Sequence, residues 1–161
     1  MSDTIHARNL SRCVLGTLLA TLPAFVALPG ASAAPVIVGA NYQDTKSNPN
    51  CNIANCSLSF TPVPAGRNLT ITHFTCFIET LNVAQTPELS LLDNTFAHYF
   101  NGLPQFLYNQ TIGSTVLRAF ASNDEVFQIV KGGKFPAATA ITPAAAGKIR
   151  HFACTISGQL R

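Results

Sequence analysis

The chain has 161 residues, of which 47% are hydrophobic and 11% charged, and its formal net charge at pH 7 is +3. This basic excess is too small for the footprint of a nucleic-acid-binding protein, and the apolar content is too high for a disordered chain. At this length we expect a single compact domain that buries a core of its own.

The amino-terminal residues have the order of a secretory signal. Two arginines precede an apolar stretch of 16 residues (13–28), and a small-residue cleavage site ends at Ala33. This order is typical of an exported protein, and a membrane span needs about 20 apolar residues, more than the stretch contains. We therefore expect residues 1–33 to be a signal peptide and residues 34–161 to be one β-sandwich domain without a membrane span. The expected location is secreted or periplasmic.

The rest of the chain is rich in strand-like runs and turn residues. The runs recur about every 8–12 residues, and no window has the apolar spacing of an amphipathic helix. The predicted strands are residues 36–40, 57–61, 68–78, 88–92, 95–100, 105–109, 114–120, 125–130, 137–142 and 148–160. This pattern predicts an all-β fold, an antiparallel, jelly-roll-like β-sandwich of roughly 8–10 strands.

Turns and loops are predicted between these strands. Asn101-Gly102 has the sequence of a tight hairpin turn, and Gly132-Gly133 can supply the positive φ angles of another. The polar segment 45–55 is expected to be a surface loop.

Four cysteines remain after the predicted signal, at Cys51, Cys56, Cys76 and Cys154. An even number in an exported chain favours disulfides over zinc, because zinc sites usually contain paired Cys-x-x-Cys knuckles. Three pairings are possible, and the sequence favours 51–56 with 76–154. The pairing 51–76 with 56–154 stays open, should the strand of Cys56 form a hairpin with the strand of Cys76.

Two segments share a His-Phe-x-Cys pattern, at residues 73–76 and 151–154. Strand alternation places both cysteines with core-type neighbours, which favours their pairing, and places His73 and His151 on the opposite face. The apolar phase of the first strand changes along its length, which predicts a β-bulge near Thr72–His73.

Two stretches resemble small exported bacterial proteins of unknown role. They are Pro62-Val-Pro-Ala-Gly-Arg-Asn-Leu-Thr-Ile71 and Cys154-Thr-Ile-Ser-Gly-Gln-Leu160. Those proteins share a VPAG turn leading into a strand and a terminal TISG-x-L strand. The resemblance implies a jelly-roll-like β-sandwich and carries over no catalytic residue.

Signals for catalysis and for metal binding are few. The chain contains no Gly-x-Ser-x-Gly elbow, and disulfide formation removes the thiolates that could act as nucleophiles. Glu79 is the one acid placed to suggest glycoside hydrolysis, which needs a second carboxylate in the same cleft. No His-x-His pair occurs, although His73 and His151 would meet if their strands were neighbours in the right register. We expect no metal and no cofactor.

Residues 95–109 combine aromatic rings with amide side chains, which can stack on and hydrogen-bond a sugar. Strand alternation also assigns several of these rings to a core hairpin. The residues predicted to bind a ligand are His98, Tyr99, Asn101, Gln105 and Tyr108. The predicted function is an exported, non-catalytic binding or interaction module with an unknown ligand or protein partner, a carbohydrate being one candidate. Alternatives are a structural surface subunit that assembles by strand addition and a small secreted hydrolase.

Overall fold

The computed structural model describes residues 33–93, 98–143 and 147–161, without the side chains of His98 and Tyr99. Nearly all of the predicted signal peptide lies outside these residues. The strands are β1 (Val36–Val38), β2 (Asn41–Asn48), β3 (Asn55–Ser59), β4 (Asn68–Leu81), β5 (Glu88–Asp93), β6 (His98–Gly102), β7 (Gln105–Ile112), β8 (Thr115–Lys131), β9 (Pro136–Ile141) and β10 (Lys148–Leu160). Within the described ranges, no helix could cross a membrane.

The strands form two antiparallel sheets. The larger sheet has six strands in the order β1-β2-β10-β4-β8-β7, and the smaller has four in the order β3-β9-β5-β6. When the edge strands β1 and β7 are left out, four strands remain in each sheet. The chain then crosses from one sheet to the other at every connection except that between β5 and β6. This is the strand order of a jelly roll. The predicted fold class, an antiparallel jelly-roll-like β-sandwich, is confirmed.

The hydrophobic core lies between the two sheets. Every second residue of a strand points to the same face, so each long strand supplies one row of apolar side chains. The largest fully buried side chains include Phe74, Ile78, Leu89, Leu91, Phe152 and Ile156. Alternation therefore leaves the intervening residues of β4 and β10 on the outer face of the larger sheet.

The loop predicted over residues 45–55 is wrong at its start, because β2 extends through Asn48. The inward positions of β2 include Asp44 and Lys46, so the strand lacks the apolar alternation that sequence analysis looks for. β8 was also predicted as two strands, but it runs unbroken through Asn123 and Asp124. The inward Asp44 of β2 accepts a hydrogen bond from the Thr61 backbone, and the inward Asp124 of β8 accepts one from the Ser122 hydroxyl on the same strand.

Asp44 is the centre of a buried polar cluster. Its Oδ2 accepts a hydrogen bond from the Thr61 backbone N–H at 2.7 Å and from the Tyr42 hydroxyl at 3.4 Å. Lys46 Nζ lies 3.2 Å from Oδ1 as an ion pair, without the alignment of a hydrogen bond. A buried carboxylate needs such partners, because its desolvation is otherwise costly. The cluster ties β2 to the segment that follows β3.

Tyr42 makes the stability of the fold sensitive to alkaline pH. Burial raises the pKa of the Tyr42 phenol well above its ordinary value of 10.0, and the adjacent Asp44 carboxylate raises this pKa further. The raised pKa contributes stability that is fully present below about pH 10 and is lost as the unfolded chain releases the phenolic proton above it. The free energy of unfolding should therefore fall more steeply for the wild type than for Tyr42→Phe between about pH 10 and pH 11, as measured by urea denaturation. Parallel pH profiles for the two proteins would contradict the prediction.

The disulfides join Cys51 to Cys56 and Cys76 to Cys154, as the sequence favoured. The alternative pairing is wrong, because Cys56 lies on β3 in the smaller sheet and Cys76 lies on β4 in the larger sheet. Cys76 and Cys154 are directly opposite each other on neighbouring strands, with their Cα atoms 4.1 Å apart. Both are buried in the hydrophobic core.

The bulge predicted near Thr72–His73 is confirmed. The register of β4 shifts there against both neighbours, β10 and β8. The Thr72 hydroxyl donates to the Ser157 carbonyl at 3.4 Å, across the shifted position. The turn predicted at Gly132-Gly133 is also present, since Gly133 has a φ of +79° and Lys134 N–H bonds to Lys131 O at 3.1 Å.

Candidate functional site

The predicted hairpin around Asn101-Gly102 is wrong. Both residues belong to β6, which pairs with β5, whereas β7 pairs with β8 in the other sheet. The β7–β8 hairpin instead turns at residues 113–114, where Gly113 has a φ of +62°. An Asn-Gly pair favours a tight turn but does not require one, and here it continues an extended strand across to the opposite sheet.

The predicted ligand-binding residues are divided between the two sheets. Asn101 is exposed on the outer face of the smaller sheet, where its Oδ1 accepts a hydrogen bond from the Ser90 hydroxyl at 2.7 Å. Gln105 and Tyr108 are exposed on β7, in the larger sheet. The side chains of His98 and Tyr99 lie outside the described part of the structure. The structure therefore places Gln105 and Tyr108 together, and Asn101 on the opposite side of the sandwich.

The outer face of the larger sheet carries three rows of side chains that run across its strands. Residues paired between neighbouring strands share a face, so the register gives each row directly. The threonine row is Thr45, Thr155, Thr75 and Asn123; the phenylalanine row is Ala153, Phe77, Ala121 and Gln105; the histidine row is His151, Glu79, Ala119 and Tyr108. Successive rows are two residues apart on β4, β8 and β10, a spacing of about 7 Å, and three residues apart on β7, where the register shifts between Phe106 and Tyr108.

Phe77 is the central aromatic side chain of this face. It is half-buried, and its two row neighbours, Ala153 and Ala121, are too small to cover the ring. The imidazole of His151 meets the ring edge-on, with centroids 5.9 Å apart and planes inclined at 72°. This contact fixes the orientation of the ring from one side. A depression of about 250 Å³ lies over the row and reaches Thr75 and Thr155.

The threonine row presents hydrogen-bonding groups beside this ring. The hydroxyls of Thr45 and Thr155 are 2.9 Å apart, and the Thr75 hydroxyl donates to Asn123 Oδ1 at the same distance. A hydroxyl that donates one hydrogen bond still has lone pairs to accept others, and an amide oxygen that accepts leaves its NH₂ group available as a donor. The row therefore offers ordered donors and acceptors on an exposed strand surface.

The histidine row adds polar groups on the other side of Phe77. Glu79 is half-buried between His151 on β10 and Ala119 on β8, and Tyr108 follows on β7 with 45% of its surface exposed. The ring of Phe77 thus lies between two polar rows. Gln105 extends its own row at the edge of the sheet.

Within the described ranges, no second carboxylate lies at catalytic distance from Glu79 on this face. The next outward acid of β8, Glu125, pairs with His73, which is six residues from Glu79 along β4. Six residues of strand span about 20 Å, whereas the two carboxyl groups of a glycosidase lie about 5–9.5 Å apart. Among the described residues, Glu79 therefore lacks the second carboxylate that glycoside hydrolysis needs.

The two outward histidines do not meet either. β4 and β10 are neighbours, but His73 pairs with Ser157 and His151 pairs with Glu79, so about 20 Å of strand separates the imidazoles. No group of three His, Cys, Asp or Glu side chains in the described ranges is arranged to hold a metal ion.

Sequence reasoning missed Phe77, although the alternation of residues in β4 identifies Phe77 as an outward side chain. The alternation that places Cys76 and Ile78 in the core places Phe77 on the opposite face. A large aromatic side chain on the solvent side of a central strand is more informative than rings near a predicted turn, because neighbouring strands hold it on a rigid surface.

No protein-family model matches the chain, and no curated protein matches it. A solved structure titled "Structure of infectious bursal disease virus Gx strain" is similar at 14% sequence identity with a TM-score of 0.17, and the match covers 98% of this chain and 44% of the viral chain. The chain thus spans less than half the length of that viral chain. A similarity at this level says nothing about function.

Proposed function

We propose that this protein is an exported, non-catalytic binding module that holds a neutral carbohydrate on the outer face of its larger sheet. The observation that carries the proposal is Phe77, a half-buried aromatic ring whose row neighbours are two alanines and which lies between two rows of polar side chains. A sugar presents an apolar face of C–H groups that can stack on such a ring, and hydroxyls around its edge that need donors and acceptors. The two disulfides are consistent with export.

The charge of the face favours a neutral ligand. Its three rows contain one carboxylate, Glu79, and one imidazole, His151, with no lysine or arginine. An anionic ligand such as a phosphate or a nucleic acid would require a cluster of basic side chains. Hydroxyl, amide and aromatic groups instead match an uncharged, hydroxyl-rich molecule.

Replacing Phe77 with alanine should weaken carbohydrate binding at least about tenfold, because the stacking surface is removed. Tyr108→Ala should weaken binding to a smaller extent, since Tyr108 lies at the edge of the face. Asn101→Ala is the matched control, because it removes an exposed polar side chain from the opposite side of the sandwich. The measurement is a glycan array followed by titration of the best ligand, with thermal unfolding to confirm that each variant is folded.

Two outcomes would count against the proposal. One is that the folded wild type binds no glycan. The other is that Asn101→Ala loses as much affinity as Phe77→Ala, which would place the ligand on the smaller sheet.

A further inference from the structure

Part of β8 is an open edge of the larger sheet. β4 pairs with β8 along nearly all of its length, but on the other side β7 pairs only with residues 115–121. From Ser122 to Lys131, no strand in the described ranges lies on that second side. A strand with one unpaired side presents backbone N–H and C=O groups to any chain that can pair with it.

The open edge has an apolar centre. Phe127 is 77% exposed and Ile129 is 49% exposed, and both point to the outer face of the sheet. On the inner face, the alternate residues Val126 and Gln128 are only partly covered. The register of this segment against β4 shifts between Glu125 and Gln128, but the segment carries no proline, and two large apolar side chains occupy its middle.

The charges at the ends of this segment are self-complementary. Glu125 and Lys131 lie three residues on either side of Gln128, and neither forms an ion pair in the described structure. If two copies of the segment pair antiparallel with Gln128 opposite its own mate, Glu125 of each copy faces Lys131 of the other. In the same register Phe127 faces Ile129 on the outer side, and Val126 faces Val130 on the inner side. The two charged pairs and the Phe127–Ile129 pairs are then of stabilising types.

The rest of the fold leaves room for this arrangement. The paired segment ends at Glu125, four residues beyond Ala121, where pairing with β7 begins. At the other end the chain leaves the sheet just after Lys131, in the Gly132-Gly133 turn toward β9. The partner strand therefore stops before it would meet β7.

We propose that two copies of this protein associate through residues 125–131 of β8, which join edge to edge in this register. The two larger sheets become one continuous antiparallel sheet of twelve strands, with the outer faces of both copies on the same side. A contact of one strand with one strand is small, so the dimer forms and dissociates with concentration rather than being permanent. The inference does not depend on the identity of any ligand.

The register is tested by exchanging the two charges. By analytical ultracentrifugation, the wild type should change from monomer to dimer as its concentration rises toward about 1 mM. Glu125→Lys alone and Lys131→Glu alone should each raise the dissociation constant at least about tenfold, because each places like charges opposite one another. The double variant Glu125→Lys/Lys131→Glu should return it to within about threefold of the wild type.

Two further variants separate the apolar contact from general effects. Phe127→Ser should weaken the dimer while leaving thermal unfolding of the monomer unchanged, since Phe127 is mostly exposed. Lys148→Glu is the matched control, because it reverses an exposed lysine on β10, away from the open edge. A protein that stays monomeric throughout the concentration range would overturn the proposal. So would a double variant that dimerises no better than the single variants, or a control that behaves like Lys131→Glu.

Discussion

Replacing Gly158 with alanine is expected to prevent the protein from folding stably, at a cost of at least about 4 kcal/mol in the free energy of unfolding. A Cβ atom on Gly158 would overlap the carbonyl of Thr70 and come within 2.9 Å of Ile71 Cα. These are backbone atoms of β4, the central strand of the larger sheet, so they cannot move aside as a flexible side chain can. The register between β10 and β4 shifts between Ser157 and Gly158, and this brings the two backbones together.

Gly113→Ala is the matched control for this prediction. Gly113 has a φ of +62° in the β7–β8 turn, with open space around the position of a Cβ atom. Alanine there meets only the backbone cost of a left-handed conformation, about 1 kcal/mol. Chemical denaturation followed by far-ultraviolet circular dichroism measures both variants. Equal stability of the two would show that β10 and β4 are not in such close contact.

The strands that sequence analysis located best are those whose inward side chains are apolar. β4 and β10 were predicted close to their observed limits, because Phe74, Ile78, Phe152 and Ile156 recur with the two-residue period of a strand. The same pattern gave the inward direction of the disulfide and the bulge near Thr72. In these segments the local pattern and the tertiary environment agree, so the sequence alone was sufficient.

β2 was missed for the opposite reason. Its inward residues include Asp44 and Lys46, which are stable there because Thr61, distant in sequence, supplies partners for both. No local pattern reports such an arrangement. The interior positions of β2 therefore have the composition of a loop, and only the assembled fold shows that their polar groups are satisfied.

The candidate site could be predicted only in part, because a row across a sheet depends on register. Gln105 and Tyr108 were identified from composition, and they do lie on the same face. Their neighbours Phe77 and His151 come from strands far away in sequence, and the order of strands brings them together. Asn101 was grouped with them on the assumption of a hairpin, and it lies on the other sheet because β6 and β7 do not pair.

The Cys76–Cys154 disulfide should contribute much more to stability than the Cys51–Cys56 disulfide. The two closed loops have sequence separations of 78 and 5 residues. From the loss of chain entropy in the unfolded state, Cys76→Ala/Cys154→Ala should cost about 4.5 kcal/mol and Cys51→Ala/Cys56→Ala about 2 kcal/mol. Both Cys76 and Cys154 belong to the buried core, whereas in the other pair only Cys56 does, so the cavity left by removal adds more to the larger cost.

Burial also predicts the order in which the two disulfides are reduced in the folded protein. Cys51 is only partly buried, although its partner Cys56 is 1% exposed, whereas both cysteines of the other disulfide are buried, Cys76 at 3% and Cys154 at 2% exposed. A thiolate must reach a sulfur atom to attack it, so a reductant under native conditions should open Cys51–Cys56 first and leave Cys76–Cys154 intact until the protein unfolds. Alkylation and peptide mass spectrometry at successive times give this order, and urea denaturation gives the two stability losses. Alkylation of Cys76 and Cys154 before Cys51 and Cys56 would contradict the predicted order of reduction. Equal losses of stability in the two double variants would contradict the predicted difference between the disulfides.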